Sequence, residues 1–213
     1  ISACKLTRLL ITHWHGDHIL GIPGLLQTLA MNNYNKTLHI YGPRGTKHYM
    51  EKIMDMFIYE GKIKTEIHEI ESGKVLETSD FIIESAKMDH LANCLAYSFK
   101  EKDKTRLDTK KLKKLKLPNS PLIGELQRGK DIEFNGKKIR AKQVTYFEKG
   151  RKITFILDTL INENCYKIAK DSDLLITECV YLNQEKEKAI EHKHLTAEQA
   201  GDIAKKSKSK KLI

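Results

Sequence analysis

The chain contains His13-Trp14-His15-Gly16-Asp17-His18, four residues able to bind metal within a stretch of six. The stretch follows an apolar run at 9–12 that predicts a buried strand, and its glycine predicts a turn. Alternate residues of an extended segment point the same way, so we expect His13 and His15 to reach one metal ion. Asp17 and His18, beyond the turn, would face a neighbouring site. Mixed His and Asp ligands suit zinc in a hydrolytic site. The alternative is a polar loop with chance histidines.

Length and composition limit the interpretation further. The 213 residues are enough for one domain with a sizeable core. With 38 Lys and Arg against 28 Asp and Glu, the net charge of +10 favours a polyanionic partner, with nucleic acid first. The chain has no signal peptide or long apolar span, and its four cysteines are scattered without a Cys-x-x-Cys pair, so we expect a cytoplasmic protein that does not bind membranes. Because it starts at Ile1 and stops at Ile213 within an apparent strand, we expect a fragment.

Two more ligand candidates stand beside predicted strands. His90 lies between strands predicted at 81–84 and 94–99, and it is our third ligand for the first metal, a plain loop histidine being the alternative. Asp158 follows a strand predicted at 153–157, and its two carboxylate oxygens suit a bridge between two metals. The alternative for Asp158 is a cap for the helix predicted near Asn162. His39 and His48 have no ligand-type neighbours in the sequence, and we expect ordinary histidines there.

The remaining pattern alternates strands and helices. Apolar spacing predicts a helix at 25–31, a strand at 38–41 and a helix at 50–57, a rhythm typical of a layered α/β domain. A further strand is predicted over 138–147. Thr196 and Gln199 predict a capping box at the start of a late helix.

A basic segment follows the first half of the chain. Residues 100–116 hold eight Lys and one Arg against three acids, which is +6 of the total +10. Asp108 predicts the start of a short helix and Pro118 its end. The plainer interpretation is a solvated, charged helix face.

These motifs carry a resemblance to known families. The stretch at 13–18 resembles the signature of the metallo-β-lactamase superfamily of binuclear zinc hydrolases. Within it the whole chain resembles ribonuclease Z, the tRNA 3′-end endonuclease. The motifs that carry this narrower resemblance are Met88-Asp89-His90, Leu157-Asp158-Thr159, Thr177-Glu178-Cys179-Val180, His194-Leu195-Thr196-Ala197, Leu117-Pro118-Asn119-Ser120-Pro121 and Gly124-Glu125-Leu126-Gln127-Arg128-Gly129.

The resemblance implies an α/β fold, the metallo-β-lactamase αββα four-layer sandwich, truncated at both ends. It implies a single domain over 1–213 with a basic tRNA-binding arm at about 100–129. The lysines that would contact RNA, here called the arm lysines, are Lys110, Lys111, Lys113, Lys114 and Lys116. It also implies a homodimer that acts on precursor tRNA.

The implied chemistry is removal of the 3′ trailer by attack of a metal-bound water on the phosphodiester, which leaves a 3′ hydroxyl on the tRNA. His13, His15 and His90 would hold one zinc, and Asp17 and His18 the other, with Asp158 between them. About two Zn²⁺ per chain are expected in the complete protein. The implied catalytic residues are Asp17 as proton acceptor and His194, oriented by Glu178, as proton donor.

The chain departs from the family pattern in a few places. Ser120 and Leu157 stand where the family often has glycine. The family's first motif would precede Ile1 and its last ligand histidine would follow Ile213, so we do not expect the fragment to be active alone. The rival functions are a small-molecule metallohydrolase, such as a thioesterase or lactonase, and a non-catalytic RNA-binding relative. The pairing of Glu178 with His194 argues against both.

Overall fold

The computed structural model describes residues 2–58, 63–118 and 120–213, so that residues 1, 59–62 and 119 lie outside the described residues. The described strands are β1 (Arg8–Leu10), β2 (Thr37–Gly42), β3 (Lys64–Glu69), β4 (Gly73–Glu77), β5 (Phe81–Met88), β6 (Cys94–Glu101), β7 (Lys104–Leu107), β8 (Ile132–Phe134), β9 (Lys137–Ile139), β10 (Thr145–Glu148), β11 (Lys152–Ile156) and β12 (Leu174–Thr177). The described helices are α1 (Gly16–Ile19), α2 (Ile22–Met31), α3 (Thr46–Met56), α4 (Thr109–Lys114), α5 (Pro121–Gln127), α6 (Ala141–Val144), α7 (Glu163–Ala169), α8 (Lys186–His192) and α9 (Ala197–Lys206).

The chain forms two compact units, and the larger comprises residues 1–99 and 152–213. Its first sheet has the order β1-β2-β3, with parallel pairing throughout. One face of this sheet packs on α2 and α3, where Leu26, Leu29 and Met50 bury against Leu38 and Ile40 of β2. Each fully buried side chain of this kind stabilises the fold by about 1.5–3 kcal/mol.

The second sheet of this unit has the order β12-β11-β6-β5-β4. Its outer face packs on α7 and α9, with Ile168 and Ile203 against Ile156 and Leu175. The inner faces of the two sheets meet where Leu10 of β1 packs with the buried side chains Ile83, Leu95 and Tyr97. The layers therefore run helix, sheet, sheet, helix, and the predicted αββα sandwich is confirmed.

The second unit comprises residues 100–151 and has a core of its own. Its strands pair as β7 with β10 and β8 with β9, both antiparallel. The helix predicted after Asp108 is confirmed, because that side chain accepts the Lys110 and Lys111 backbone N–H groups (both 3.1 Å) at the start of α4. All five arm lysines are exposed, whereas Leu112 beside them is buried. The prediction of an arm within a single domain stays a prediction.

The strand predicted over 138–147 is wrong. The chain there forms β9, the short helix α6 and β10. The helix begins because Gln143 Oε1 accepts the Arg140 N–H (3.1 Å) and Asp131 accepts the Ala141 N–H (2.9 Å). Ala141 and Val144 are then buried in the core of the second unit, so tertiary packing overrides the local alternation.

Within the described parts of the chain, no helix is both long and apolar enough to cross a membrane.

Candidate active site

The loop that carries His13 and His15 is anchored to both sheets of the larger unit. The Ile11 N–H donates to the Tyr41 carbonyl (2.8 Å), and the Tyr97 hydroxyl donates to the Ile11 carbonyl (2.7 Å). The Thr12 carbonyl accepts the N–H of Leu95, which lies on β6 with Tyr97 (2.9 Å). The loop therefore leaves β1 in a fixed direction, as a site that binds a ligand through several side chains requires.

Four predicted ligands converge at this loop. Donor atoms of His13, His15, His90 and Asp158 all lie within 4.8 Å of one another. Asp158 Oδ2 lies 3.6 Å from His13 Nε2 and 3.8 Å from His90 Nε2, while His90 Nε2 lies 3.2 Å from His15 Nδ1. Two nitrogens bound to one zinc at 2.0–2.1 Å lie about 3.3–3.4 Å apart in tetrahedral geometry. The distance of 3.2 Å between the His15 and His90 ring nitrogens is therefore close to that of two ligands on one zinc ion.

The hydrogen bonds of these rings fix which nitrogen faces the centre. A carbonyl oxygen only accepts, so the His90 Nδ1–H donates to the Lys193 carbonyl (3.0 Å) and Nε2 keeps a free lone pair. His13 Nδ1 contacts Thr12 Oγ1 (3.1 Å), and its Nε2 is fully buried with no hydrogen-bond partner in the part of the chain that the structure describes. A buried unpartnered nitrogen is costly. Because Nε2 faces Asp158 and two other imidazoles, the donor set fits a metal ion.

A second group shares the same aspartate. His18 Nε2 lies 3.3 Å from Asp158 Oδ2 and 3.2 Å from Asp17 Oδ2. The Asp17 side chain is 75% exposed, whereas that of Asp158 is 12% exposed. Asp158 thus contacts histidines of both groups, which is the placement that a bridging carboxylate needs. The alternative capping role belongs to Asn162, whose side chain accepts the Asn164 N–H (2.9 Å) at the start of α7.

Glu178 and His194 form a pair at the edge of the cluster. Glu178 follows β12, and its Oε1 accepts the Thr159 and Leu195 backbone N–H groups (3.0 and 3.2 Å). The His194 Nδ1–H donates to the same oxygen (3.1 Å), so Nε2 is the atom left to carry or release a proton. The His194 ring centre lies 5.3 Å from the His90 ring centre. Donor atoms of Glu178, His194 and Asp158 all lie within 4.8 Å of one another.

Burial sets the charge of the inner histidines. Burial of the His13 ring, with repulsion from His18, lowers its pKa from 6.5 to about 4. Burial also lowers the pKa of His90, and the Lys193 carbonyl opposes that effect only in part. Both rings are therefore neutral at pH 7, which is the form that binds a metal ion.

The structure brings all the predicted metal ligands of the larger unit together. It also shows groups that sequence reasoning missed, namely the Lys193 carbonyl, the Thr12 hydroxyl and the Thr159 and Leu195 N–H groups. Three of these four are backbone groups, which no residue pattern reveals. The arm lysines belong to the second unit, where they form an exposed basic surface around α4.

Comparison with known proteins gives a consistent set of relatives. A family profile described as the metallo-beta-lactamase superfamily matches residues 1–87. The whole chain is 41% identical to ribonuclease Z of Nanoarchaeum equitans, covering 67% of that protein, and 37% identical to ribonuclease Z of Pyrococcus horikoshii, covering 69%. The structure of the short form of human tRNase Z superposes with a TM-score of 0.69 at 21% identity, covering all of this chain and 72% of that one.

Proposed function

The chain belongs to the ribonuclease Z family, and on that premise we propose that it is an endoribonuclease that removes the 3′ trailer from precursor tRNA. The observation that carries the proposal is the arrangement around Asp158. Two ligand groups share this one carboxylate, and the Glu178 and His194 pair lies beside it. Two ions and a positioned acid suit the hydrolysis of a phosphodiester with a poor leaving group.

The proposed metal ligands are divided as the structure groups them. His13, His15 and His90 would hold one ion, Asp17 and His18 the other, and Asp158 both. Imidazole and carboxylate donors favour zinc, at about two ions per chain. When bound, such ions lower the pKa of water and neutralise charge that develops on the phosphate.

The proton transfers fall to this chain's own residues. Asp17 is exposed and lies on the second ligand group, where it accepts the proton of the attacking water. As the bond between phosphorus and the ribose O3′ breaks, the proton on His194 Nε2 passes to that oxygen. The Glu178 carboxylate holds the ring and stabilises its charged form. The tRNA leaves with a 3′ hydroxyl and the trailer with a 5′ phosphate.

Substrate binding is assigned to the second unit. Its arm lysines would contact tRNA phosphates. The positive charges on and beside α4 suit contacts with the phosphate backbone of the tRNA, which carry no sequence information. We further propose a homodimer and a cytoplasmic location. Four free cysteines support the location, because a reducing compartment keeps thiols unpaired.

The decisive assay offers three substrates to the purified full-length protein: a precursor tRNA with a 3′ trailer, a thioester and a lactone. We expect trailer release with a 3′ hydroxyl on the tRNA, loss of activity on chelation, and recovery with zinc. His13→Ala should abolish cleavage, while His192→Ala, at an exposed position, should not. Hydrolysis of the thioester or lactone alone would support a small-molecule hydrolase. Binding of tRNA without cleavage would support a non-catalytic relative.

A further inference from the structure

A second group of metal-binding side chains lies on the first sheet, away from the loop at 13–18. The parallel register pairs His39 of β2 with Glu66 of β3, and Tyr41 with His68. Alternate strand residues share a face, so these four side chains lie on one side of the sheet. The neighbouring residues Leu38 and Ile40 point the other way, into the core.

The donor atoms in this group are close together. His39 Nδ1 lies 3.3 Å from Glu66 Oε2 and 3.3 Å from His68 Nε2, and one donor atom from each of the three lies within 4.8 Å of the others. Both separations match the distance of about 3.3–3.4 Å expected between two ligands of a tetrahedral zinc. Two imidazoles and a carboxylate are also a donor set that zinc takes in proteins.

We propose that His39, Glu66 and His68 form a zinc-binding site that is separate from the proposed active site and ties β2 to β3. The three residues supply three ligands and leave a fourth position for water. The sequence alone predicts an ordinary histidine at position 39, because the partners of His39 lie 27 and 29 positions further along the chain.

The surroundings suit a reachable ion that needs little rearrangement. The side chains of His39 and Glu66 are 31% and 46% exposed, so the donors are open to solvent. Tyr41 stacks on the His68 ring, with centres 4.6 Å apart and planes at 16°, and thereby fixes its orientation. The nearby cations contact other atoms. Lys64 Nζ lies 4.0 Å from Glu66 Oε1, the oxygen that His39 does not contact, and the Arg8 guanidinium lies over the Phe81 ring.

The competing explanation is a hydrogen-bonded cluster without metal. In that case His39 Nδ1 carries a proton and donates to His68 Nε2, with the Glu66 carboxylate as a second acceptor. Zinc would displace that proton, because the ring nitrogen that binds zinc must offer its lone pair, and the neutral ring then carries its proton on the other nitrogen. The two explanations therefore differ in what zinc does to the ring nitrogens of His39 and His68.

The test is a zinc titration of the metal-free protein, read by bound-metal analysis and by long-range ¹H–¹⁵N spectra of the histidine rings. We expect one zinc more per chain in the wild type than in Glu66→Gln or His39→Asn. Loss of a direct ligand should weaken the affinity for this zinc by about 100-fold or more. Loss of a residue that only hydrogen-bonds to a ligand typically weakens metal affinity by roughly 10–100-fold. Ring nitrogen signals of His39 and His68 should shift with the added equivalent.

The matched control is His48→Ala, a histidine outside the group, which should bind as much zinc as the wild type. Glu66→Gln should also keep its cleavage of precursor tRNA, so that the outcome is independent of the proposed function. Circular dichroism checks that each variant folds, and the wild-type ring spectra need no variant to fold. Equal zinc content in wild type and folded variants, or ring signals of His39 and His68 unmoved by excess zinc, would overturn the proposal in favour of a hydrogen-bonded cluster.

Discussion

His194→Ala tests the proton donor most directly. The His194 Nδ1–H is held by Glu178, whose carboxylate also accepts backbone N–H groups of Thr159 and Leu195, so Nε2 has a fixed direction. Removing a positioned general acid costs about 10²–10⁴ in rate. That corresponds to about 2.7–5.4 kcal/mol of transition-state stabilisation. We expect this loss in kcat for precursor tRNA, with KM little changed, because the ring is needed only when the P–O3′ bond breaks.

The assay compares two leaving groups. The leaving group of a nitrophenyl phosphodiester is far more acidic than the ribose hydroxyl, so its hydrolysis needs no proton donor. His194→Ala should therefore change the rate of this hydrolysis by no more than a few fold. Zinc content should stay unchanged. His192→Ala, an exposed histidine two residues earlier, is the matched control and should behave as the wild type in both assays. Equal slowing of both substrates by His194→Ala would refute the assignment of His194 as the acid.

Three further predictions follow from the site and the second unit. Replacing the arm lysines with Gln should raise KM for precursor tRNA and reduce the salt slope of binding by roughly 0.7–0.9 per lost phosphate contact. The same change should leave kcat for a nitrophenyl phosphodiester unchanged, and the control Lys205→Gln/Lys208→Gln should behave as the wild type. Bound-metal analysis of the complete protein with His39→Asn should give about two zinc ions per chain, and one ion in excess zinc would remove the bridging role of Asp158. The metal-free protein should lose about 3 kcal/mol of unfolding free energy between pH 6.5 and 4 through His13, because its pKa is about 4 when folded and 6.5 when unfolded. Denaturant titrations measure this loss, and His13→Asn should flatten it.

The sequence predicts best where the determinants are local. His13, His15, Asp17 and His18 are close in the chain and follow a strand, so their convergence needs only one turn to be right. The Asp108 cap of α4 and the capping box of Thr196 and Gln199 are likewise local patterns, and both are confirmed. The family resemblance rested on several such motifs in order, and the relatives confirm it.

The sequence predicts least where contacts between distant segments decide the outcome. The run at 138–147 alternates like a strand, yet the hydrogen bond from Ala141 to Asp131 and the burial of Val144 place a helix in it. The group of His39, Glu66 and His68 depends on the register between β2 and β3, since a slip of one residue would turn His39 away from its partners. No local pattern specifies that register.

The two proposed metal sites differ in burial, and this difference gives them different chemical roles. At the loop, His13 is completely buried, and its Nε2 has no hydrogen-bond partner among the described residues. An ion bound there would lie close to the carboxylate that two ligand groups share and to the proposed proton donor. Electrostatic effects are strong in such a site because little water screens them. On the sheet face, His39 and Glu66 are partly exposed, and among the described residues no comparable pair of acid and histidine adjoins them. An ion bound there would hold two strands together, whereas an ion bound at the loop would act on phosphate.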